Sequence, residues 1–129
     1  MSVSLNHTIV HCTDNRASAE FLADILGRPE PATVFGHFEV VELDNGVSLD
    51  FMSVGPEHLT PQHYAFLVSE EEFTAAFARI QSRGLQYWAD PMQHQAGKIN
   101  HHDGGRGVYF PSNDGHFLEI ITRPYGSGG

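Results

Sequence analysis

The chain has 129 residues, of which 40% are hydrophobic and 18% charged, an ordinary composition for one folded domain with its own core. Sixteen acidic against seven basic residues give a formal net charge of −9, which argues against nucleic acid or an anionic membrane as a partner. The single cysteine, Cys12, excludes an internal disulfide, and no apolar run is long enough to span a bilayer. The sequence therefore predicts a cytoplasmic protein.

The first half of the chain has the pattern of a strand, a helix and three further strands. Alternating residues with β-branched side chains predict the first strand over 4–12, and the helix that follows has Asp14 as its N-cap and ends at Gly27. The last two strands are joined by a hairpin turn at Asn45-Gly46. The three further strands are predicted at 32–35, 37–43 and 47–53.

The second half repeats this order after a connection at 55–61 that contains Gly and Pro. A strand is predicted over 63–68, and Ser69 with Glu72 has the spacing of a capping box at the start of a helix that ends at Gly84. A Gly-rich and His-rich insert, 91–106, interrupts the remaining strands. These are predicted at 85–89, 107–110 and 116–122.

Two tandem βαβββ modules therefore account for the chain, and the predicted fold class is α+β. Module one covers residues 4–54 and module two covers 61–123, within a single domain over 1–124. The Gly-rich end, 125–129, is predicted to be a flexible tail.

One motif occurs twice in the same frame, as DNGVSLDF at 44–51 and NDGHFLEI at 113–120. In each copy a polar turn ends in Gly, and the next strand carries a carboxylate four positions later, Asp50 or Glu119. The first strand of each module also carries a histidine, His7 or His63. Each module thus supplies one imidazole and one carboxylate, which are ligand types of divalent metal sites.

Strand alternation predicts which neighbours share a face with these groups. If the faces line a common cavity, its polar groups are His7, Asp50, His63 and Glu119. An ionised carboxylate in an apolar wall is costly unless a cation accompanies it, so this arrangement favours a metal. The wall would consist of Ile9, Met52, Ala65, Phe117 and Ile121.

The paired modules, the histidine on the first strand of each and the D-G-h-x-L-E ending resemble the vicinal oxygen chelate superfamily. This group includes glyoxalase I, methylmalonyl-CoA epimerase, fosfomycin and bleomycin resistance proteins, and type I ring-cleaving dioxygenases. The resemblance runs from Leu5 to Thr122. The segments most similar to the small dioxygenase-like members of chartreusin-type pathways are 63–66, 105–110, 113–119 and 123–126.

The resemblance implies that the modules form a curved mixed sheet around a metal-binding cavity. His7, His63 and Glu119 match the two-His-one-carboxylate triad position by position, and such a triad suits Fe(II), with Mn, Ni or Zn as alternatives. Asp50 matches the position of the fourth ligand of glyoxalase I, and either ligates or acts as a general base. Tyr109 matches a tyrosine that donates to a substrate oxygen.

His102 lies in the insert, and we predict that this loop closes over the cavity and relays protons. The resemblance further implies a homodimer in which His7 comes from one subunit and His63 with Glu119 from the other. The sequence does not decide between this arrangement and a site within one chain.

The function predicted first is a metal-dependent oxygenase or dioxygenase that cleaves or oxidatively rearranges a small aromatic, polyketide-like substrate chelated through vicinal oxygens. One alternative is a glyoxalase or epimerase-type lyase or isomerase that uses Asp50. Another is a drug-binding resistance protein. Fosfomycin chemistry is disfavoured, because Ile9 stands where those enzymes have a Thr two residues after the first His.

Overall fold

The structure is a computed structural model and describes residues 2–128. The chain divides into two compact units, Met1–Thr60 and Pro61–Gly129. The first unit contains β1 (His7–Cys12), α1 (Asn15–Leu26), β2 (Ala32–Val34), β3 (Phe38–Glu42) and β4 (Ser48–Ser53). The second contains β5 (His63–Leu67), α2 (Glu70–Ser82), β6 (Gly107–Pro111) and β7 (Phe117–Ile121). Short 3₁₀ turns lie at Pro56–His58 and His102–Gly104.

The first unit is a four-stranded mixed sheet, in the order β1-β4-β3-β2, with α1 packed against it. β1 runs parallel to β4, and the other pairs are antiparallel. The Asp14 side chain accepts a hydrogen bond from Ala17 N at the start of α1, and Gly27 ends the helix in the left-handed region at φ +67°. The buried apolar side chains include Val10, Phe21, Leu22, Ile25, Val41, Leu49 and Phe51.

The second unit is a three-stranded mixed sheet, in the order β5-β7-β6, with β5 parallel to β7. Both hydrogen bonds of the predicted capping box, between Ser69 and Glu72, are present at the start of α2. Its buried apolar side chains include Phe66, Phe73, Ile80, Val108, Phe110 and Ile120. The predicted α+β class with mixed sheets is therefore confirmed in both units.

The strand predicted at 85–89 is wrong, because only Trp88 pairs there. Its backbone exchanges hydrogen bonds with Tyr109 at 2.9 and 2.8 Å, and it also bridges to Ala96. The chain then turns at Asp90, whose carboxylate accepts from the backbone N–H groups of His94 and Gln95. This loop, closed by the Asp90 side chain, leads the chain back before a full strand has formed.

Arg106 fastens the end of the insert to the start of α2. Its guanidinium donates to Glu70 Oε1, to the Glu70 carbonyl and to Thr74 Oγ1, each at 2.8 Å, and it lies 4.4 Å above the centre of the Phe73 ring. These contacts give Arg106 a structural part in the fold.

Between residues 2 and 128, no helix is long and apolar enough to cross a membrane. The cytoplasmic location stays a prediction.

Candidate metal centre

The pairing of β5 with β7 brings His63 and Glu119 together. His63 is paired with Phe117 and Ala65 with Glu119, so the histidine and the carboxylate project from the same face of neighbouring strands. The distance between His63 Nε2 and Glu119 Oε1 is 3.1 Å. In the first unit β1 and β4 have the same register, with His7 opposite Ser48 and Ile9 opposite Asp50. The repeated motif thus produces the same strand register twice.

The hydrogen bond of the second ring nitrogen fixes the tautomer of His63. Nδ1 lies 3.0 Å from the carbonyl oxygen of Phe117, which can only accept, so Nδ1 carries the hydrogen. In a neutral imidazole Nε2 then has a lone pair directed outward, as in metal-binding histidines whose other nitrogen donates to a carbonyl.

Glu119 on β7 is almost completely buried, with 1% of its side chain accessible. Oε2 accepts a hydrogen bond from the hydroxyl of Tyr125. Oε1 is buried and accepts no hydrogen bond from any residue in 2–128. A buried carboxylate oxygen left in this state is unfavourable when the His63 imidazole is neutral, because Nε2 then directs a lone pair at it. A divalent cation bound by both atoms would remove the conflict, so the pair fits a metal.

Two tyrosines extend this cluster. Tyr109 is opposite Glu119 in the β6–β7 pairing, and its hydroxyl lies 3.0 Å from that of Tyr125. Because the single hydroxyl hydrogen of Tyr125 is directed to Glu119, Tyr109 donates to Tyr125. Burial, and then the nearby Glu119 carboxylate, raise the pKa of both phenols. Both groups therefore remain hydrogen-bond donors at neutral pH.

His102, predicted to act as a proton relay, lies on the 3₁₀ turn of the insert with its ring centre 6.4 Å from that of Tyr125. The ring of His63 is stacked 6.0 Å from that of Tyr109. The second unit therefore gathers one imidazole–carboxylate pair, both tyrosines and His102 in one neighbourhood.

The predicted ligands of the first unit have different partners. His7 is exposed, and its Nδ1 lies 2.7 Å from Asn6 Oδ1. Asp50 accepts a hydrogen bond from Ser48 Oγ at 2.9 Å. Within residues 2–128 no group of three or more His, Cys, Asp or Glu side chains is arranged to hold a metal ion. The second unit thus presents the His63–Glu119 pair, while His7 and Asp50 lie in the first unit.

A shallow pocket, open to solvent, adjoins the cluster and has room for about one water molecule, about 10 Å³. Aromatic rings and prolines form most of its wall. The lining residues are Trp88, Pro91, Gln93, Tyr109, Phe110, Pro111 and Phe117.

Sequence reasoning missed two residues of this neighbourhood. Trp88 is the only tryptophan of the chain, and this rarity was the available signal. Tyr125 lies within 125–129, which the sequence predicts to be a flexible tail. In the structure this segment is tied down, since Gly126 N and Gly128 N donate to the carboxylate of Asp103.

Apolar side chains next to the pair are exposed. Leu67 on β5 is 62% accessible and Phe117 on β7 is 44% accessible, on the face that carries His63 and Glu119. In the first unit Ile9, two residues after His7, is 46% accessible. Exposed apolar residues around convergent polar groups are typical of ligand or protein contact surfaces.

Two mixed-sheet units, each with a parallel pair of strands that carries a histidine opposite a carboxylate-bearing strand, place the chain in the α+β class. The chain matches the Glyoxalase/Bleomycin resistance protein/Dioxygenase superfamily over residues 4–120 and belongs to this superfamily. The resemblance inferred from the repeated motif is therefore confirmed.

Two solved structures named as oxidases are similar over nearly the whole chain. Oxidase ChaP-H2 has 58% identity and a TM-score of 0.95, with 100% of both chains covered. Oxidase ChaP-H1 has 61% identity and a TM-score of 0.91, covering 97% of this chain and 99% of the other. Both neighbours support an enzyme of this superfamily.

A curated relative, glutathione transferase FosA from Serratia marcescens, is 30% identical over 124 residues, which cover 93% of this chain and 81% of the relative. The structure of lactoylglutathione lyase from Agrobacterium tumefaciens shares the fold, with 13% identity and a TM-score of 0.69 over 94% of each chain.

Proposed function

We propose that the protein is a metal-dependent oxygenase that acts on an aromatic, polyketide-like substrate bound through two neighbouring oxygens. The observation that carries this proposal is the His63–Glu119 pair, whose Nε2 and Oε1 face each other without a hydrogen bond to Oε1. The two similar oxidases support the reaction type, and the aromatic side chains around the shallow pocket are the kind of surface that an aromatic substrate would contact.

His63, Glu119 and His7 would hold the metal, with Fe(II) favoured by two imidazoles and one carboxylate. When bound, the metal supplies a Lewis acid for the substrate oxygens and redox chemistry toward dioxygen.

The protein side chains then orient the substrate and move its protons. Tyr109 borders both the pocket and the Glu119 cluster, and its raised pKa keeps the phenol available to donate to a substrate oxygen. Trp88 and Phe117 would contact the faces of an aromatic ring and exclude water. Asp50 and His102 are the proposed proton acceptors.

A second copy of the chain would complete the site. The exposed Leu67, Phe117 and Ile9 would be buried in a homodimer, and His7 of one copy would join His63 and Glu119 of the other.

The test is metal binding after anaerobic loading with Fe(II), measured as iron per chain by mass spectrometry. Wild type should hold about one iron per chain, and His63→Ala and Glu119→Gln should lose it. Glu71→Gln removes an exposed carboxylate of α2 and serves as the control. Iron-loaded wild type should then consume oxygen with polycyclic phenols. Wild type without any bound metal would refute the proposal and favour a drug-binding protein.

A second candidate is metal-assisted lyase or isomerase chemistry, which Asp50 favours as a fourth ligand or base. In that case Asp50→Ala should also lose the metal, and Ni or Zn should bind in preference to Fe. Loss of metal only in the His and Glu119 variants would favour the oxygenase.

A further inference from the structure

We propose that Tyr125 is a positioning residue that holds Glu119 so that only Oε1 faces the metal beside His63, and that Asp103 fixes the C-terminal strap carrying it. The C-terminal strap denotes residues 124–128. This inference rests on the proposed metal site and assigns a task to a segment outside the repeated modules.

The two carboxylate oxygens of Glu119 have different hydrogen-bond partners. Oε2 accepts the hydroxyl hydrogen of Tyr125, whereas Oε1 has no hydrogen-bond donor in residues 2–128 and lies 3.1 Å from His63 Nε2. A carboxylate can bind a metal through one oxygen or both. A donor on one oxygen leaves the other to bind and fixes the orientation of the group.

The hydroxyl of Tyr125 has few alternative hydrogen-bond acceptors to Glu119. Tyr109 donates to it at 3.0 Å, so the hydrogen-bonded chain runs from Tyr109 through Tyr125 to Glu119. Such a chain polarises each hydroxyl in the same direction and strengthens the bond to the carboxylate.

The C-terminal strap is attached to the insert by hydrogen bonds. Gly126 N donates to Asp103 Oδ2 at 3.0 Å, and Gly128 N donates to Asp103 Oδ1 at 3.1 Å. Both oxygens of one carboxylate therefore hold the strap. Arg123 Nη2 donates to the carbonyl oxygen of Ser127 at 3.4 Å. Ser127 Oγ donates to the carbonyl oxygen of Pro124 at 2.6 Å.

Backbone geometry makes this attachment specific. Asp103 has φ +59°, a left-handed conformation that Asp adopts more easily than most residues. A Cβ on Gly128 would lie 2.4 Å from Asp103 Cα, so only glycine allows the strap to approach this closely. The position of Tyr125 thus depends on contacts that are built into the insert.

The experiment measures Co(II) affinity and the Co(II) absorption spectrum for wild type, Tyr125→Phe and Tyr87→Phe. Tyr125→Phe keeps the ring and removes the donor, so affinity should fall about 10- to 100-fold and the spectrum should change. Tyr87→Phe removes a hydroxyl that faces Gln81 on α2 and should behave as wild type.

Two further variants test the strap while keeping Tyr125. Gly128→Ala and Asp103→Asn should each weaken Co(II) binding and accelerate chymotrypsin cleavage after Tyr125, because the strap is held less firmly. Thermal unfolding of each variant checks that the fold is intact.

The outcomes separate the two proposals. If Tyr125→Phe, Gly128→Ala and Asp103→Asn bind Co(II) like wild type while Glu119→Gln does not, the positioning role is wrong and the metal site stands. If wild type itself binds no metal, the proposed function fails and the role of Tyr125 fails with it.

Discussion

Glu119 is unfavourable for the stability of the metal-free protein and is proposed to bind the metal. Its side chain is almost completely buried, and Oε1 has no donor among residues 2–128. Keeping such a charge in the protein interior is unfavourable, and it is retained where a cation or a reaction uses it.

We therefore predict that Glu119→Gln makes the metal-free protein more stable. The amide removes the buried charge, still accepts from Tyr125 and can donate to His63 Nε2. The gain should be about 1–3 kcal/mol, which raises Tm by a few degrees. Differential scanning calorimetry in the presence of a chelator measures it. A lower Tm than wild type would show that the carboxylate is well satisfied without a metal.

Tyr109→Phe tests the donor at the pocket. The variant should bind metal with nearly wild-type affinity and turn over a phenolic substrate about 10²- to 10⁴-fold more slowly, the range expected for a lost acid or base. Stopped-flow oxygen consumption provides the rate. Unchanged turnover would leave Tyr109 with a packing role only.

Residues within strands were predictable from the sequence, and Tyr125 was not. Strand alternation places each side chain on a defined face of its own strand, and the parallel β5–β7 register brings His63 and Glu119 together. Tyr125 depends on Asp103, more than twenty residues earlier, and no local period connects them.

At the scale of elements, local sequence signals predict the two modules. The one strand that is predicted wrongly, at 85–89, is absent for a local reason. Asp14, Gly27 and the Ser69–Glu72 pair delimit the helices as expected. The strand at 85–89 was lost because the Asp90 carboxylate captures two backbone N–H groups and turns the chain. Propensity alone does not show which side chain captures the backbone.

The contact between α2 and the insert should make stability depend on pH. Hydrogen bonds from Thr122 and then Arg106 lower the pKa of Glu70. Because the folded pKa lies below the unfolded one, the stabilisation is complete above the unfolded value, roughly 4.3, and is lost as pH falls through the folded value.

The Tm difference between wild type and Glu70→Gln should therefore be largest near neutral pH and shrink in acid. Tm measured from pH 7 to pH 3 tests this, with Glu71→Gln as the matched control. An unchanged difference across this range would contradict the assigned role of Glu70.

For the whole molecule, the proposed dimer predicts that two chains with different defects can form an intact metal site together, which neither can form alone. His7→Ala and Glu119→Gln should each lack metal when purified alone. In mixed dimers, one of the two sites combines an intact His7 with an intact His63 and Glu119, so statistical mixing should restore about a quarter of the sites.

Refolding an equimolar mixture and measuring bound Co(II) tests this arrangement. A site formed within each chain would restore none, because every chain carries one defect. Sequence reasoning stopped at this point, since the repeat predicts the ligand types but is compatible with either arrangement.

The central claim is that His63 and Glu119 hold a divalent metal. Its most direct test is a crystal of the metal-loaded protein, with anomalous diffraction recorded at the absorption edge of the metal. We predict a peak about 2.0–2.2 Å from His63 Nε2 and Glu119 Oε1, with His7 as the third protein ligand. A metal located elsewhere, or none between these two atoms, would contradict the account.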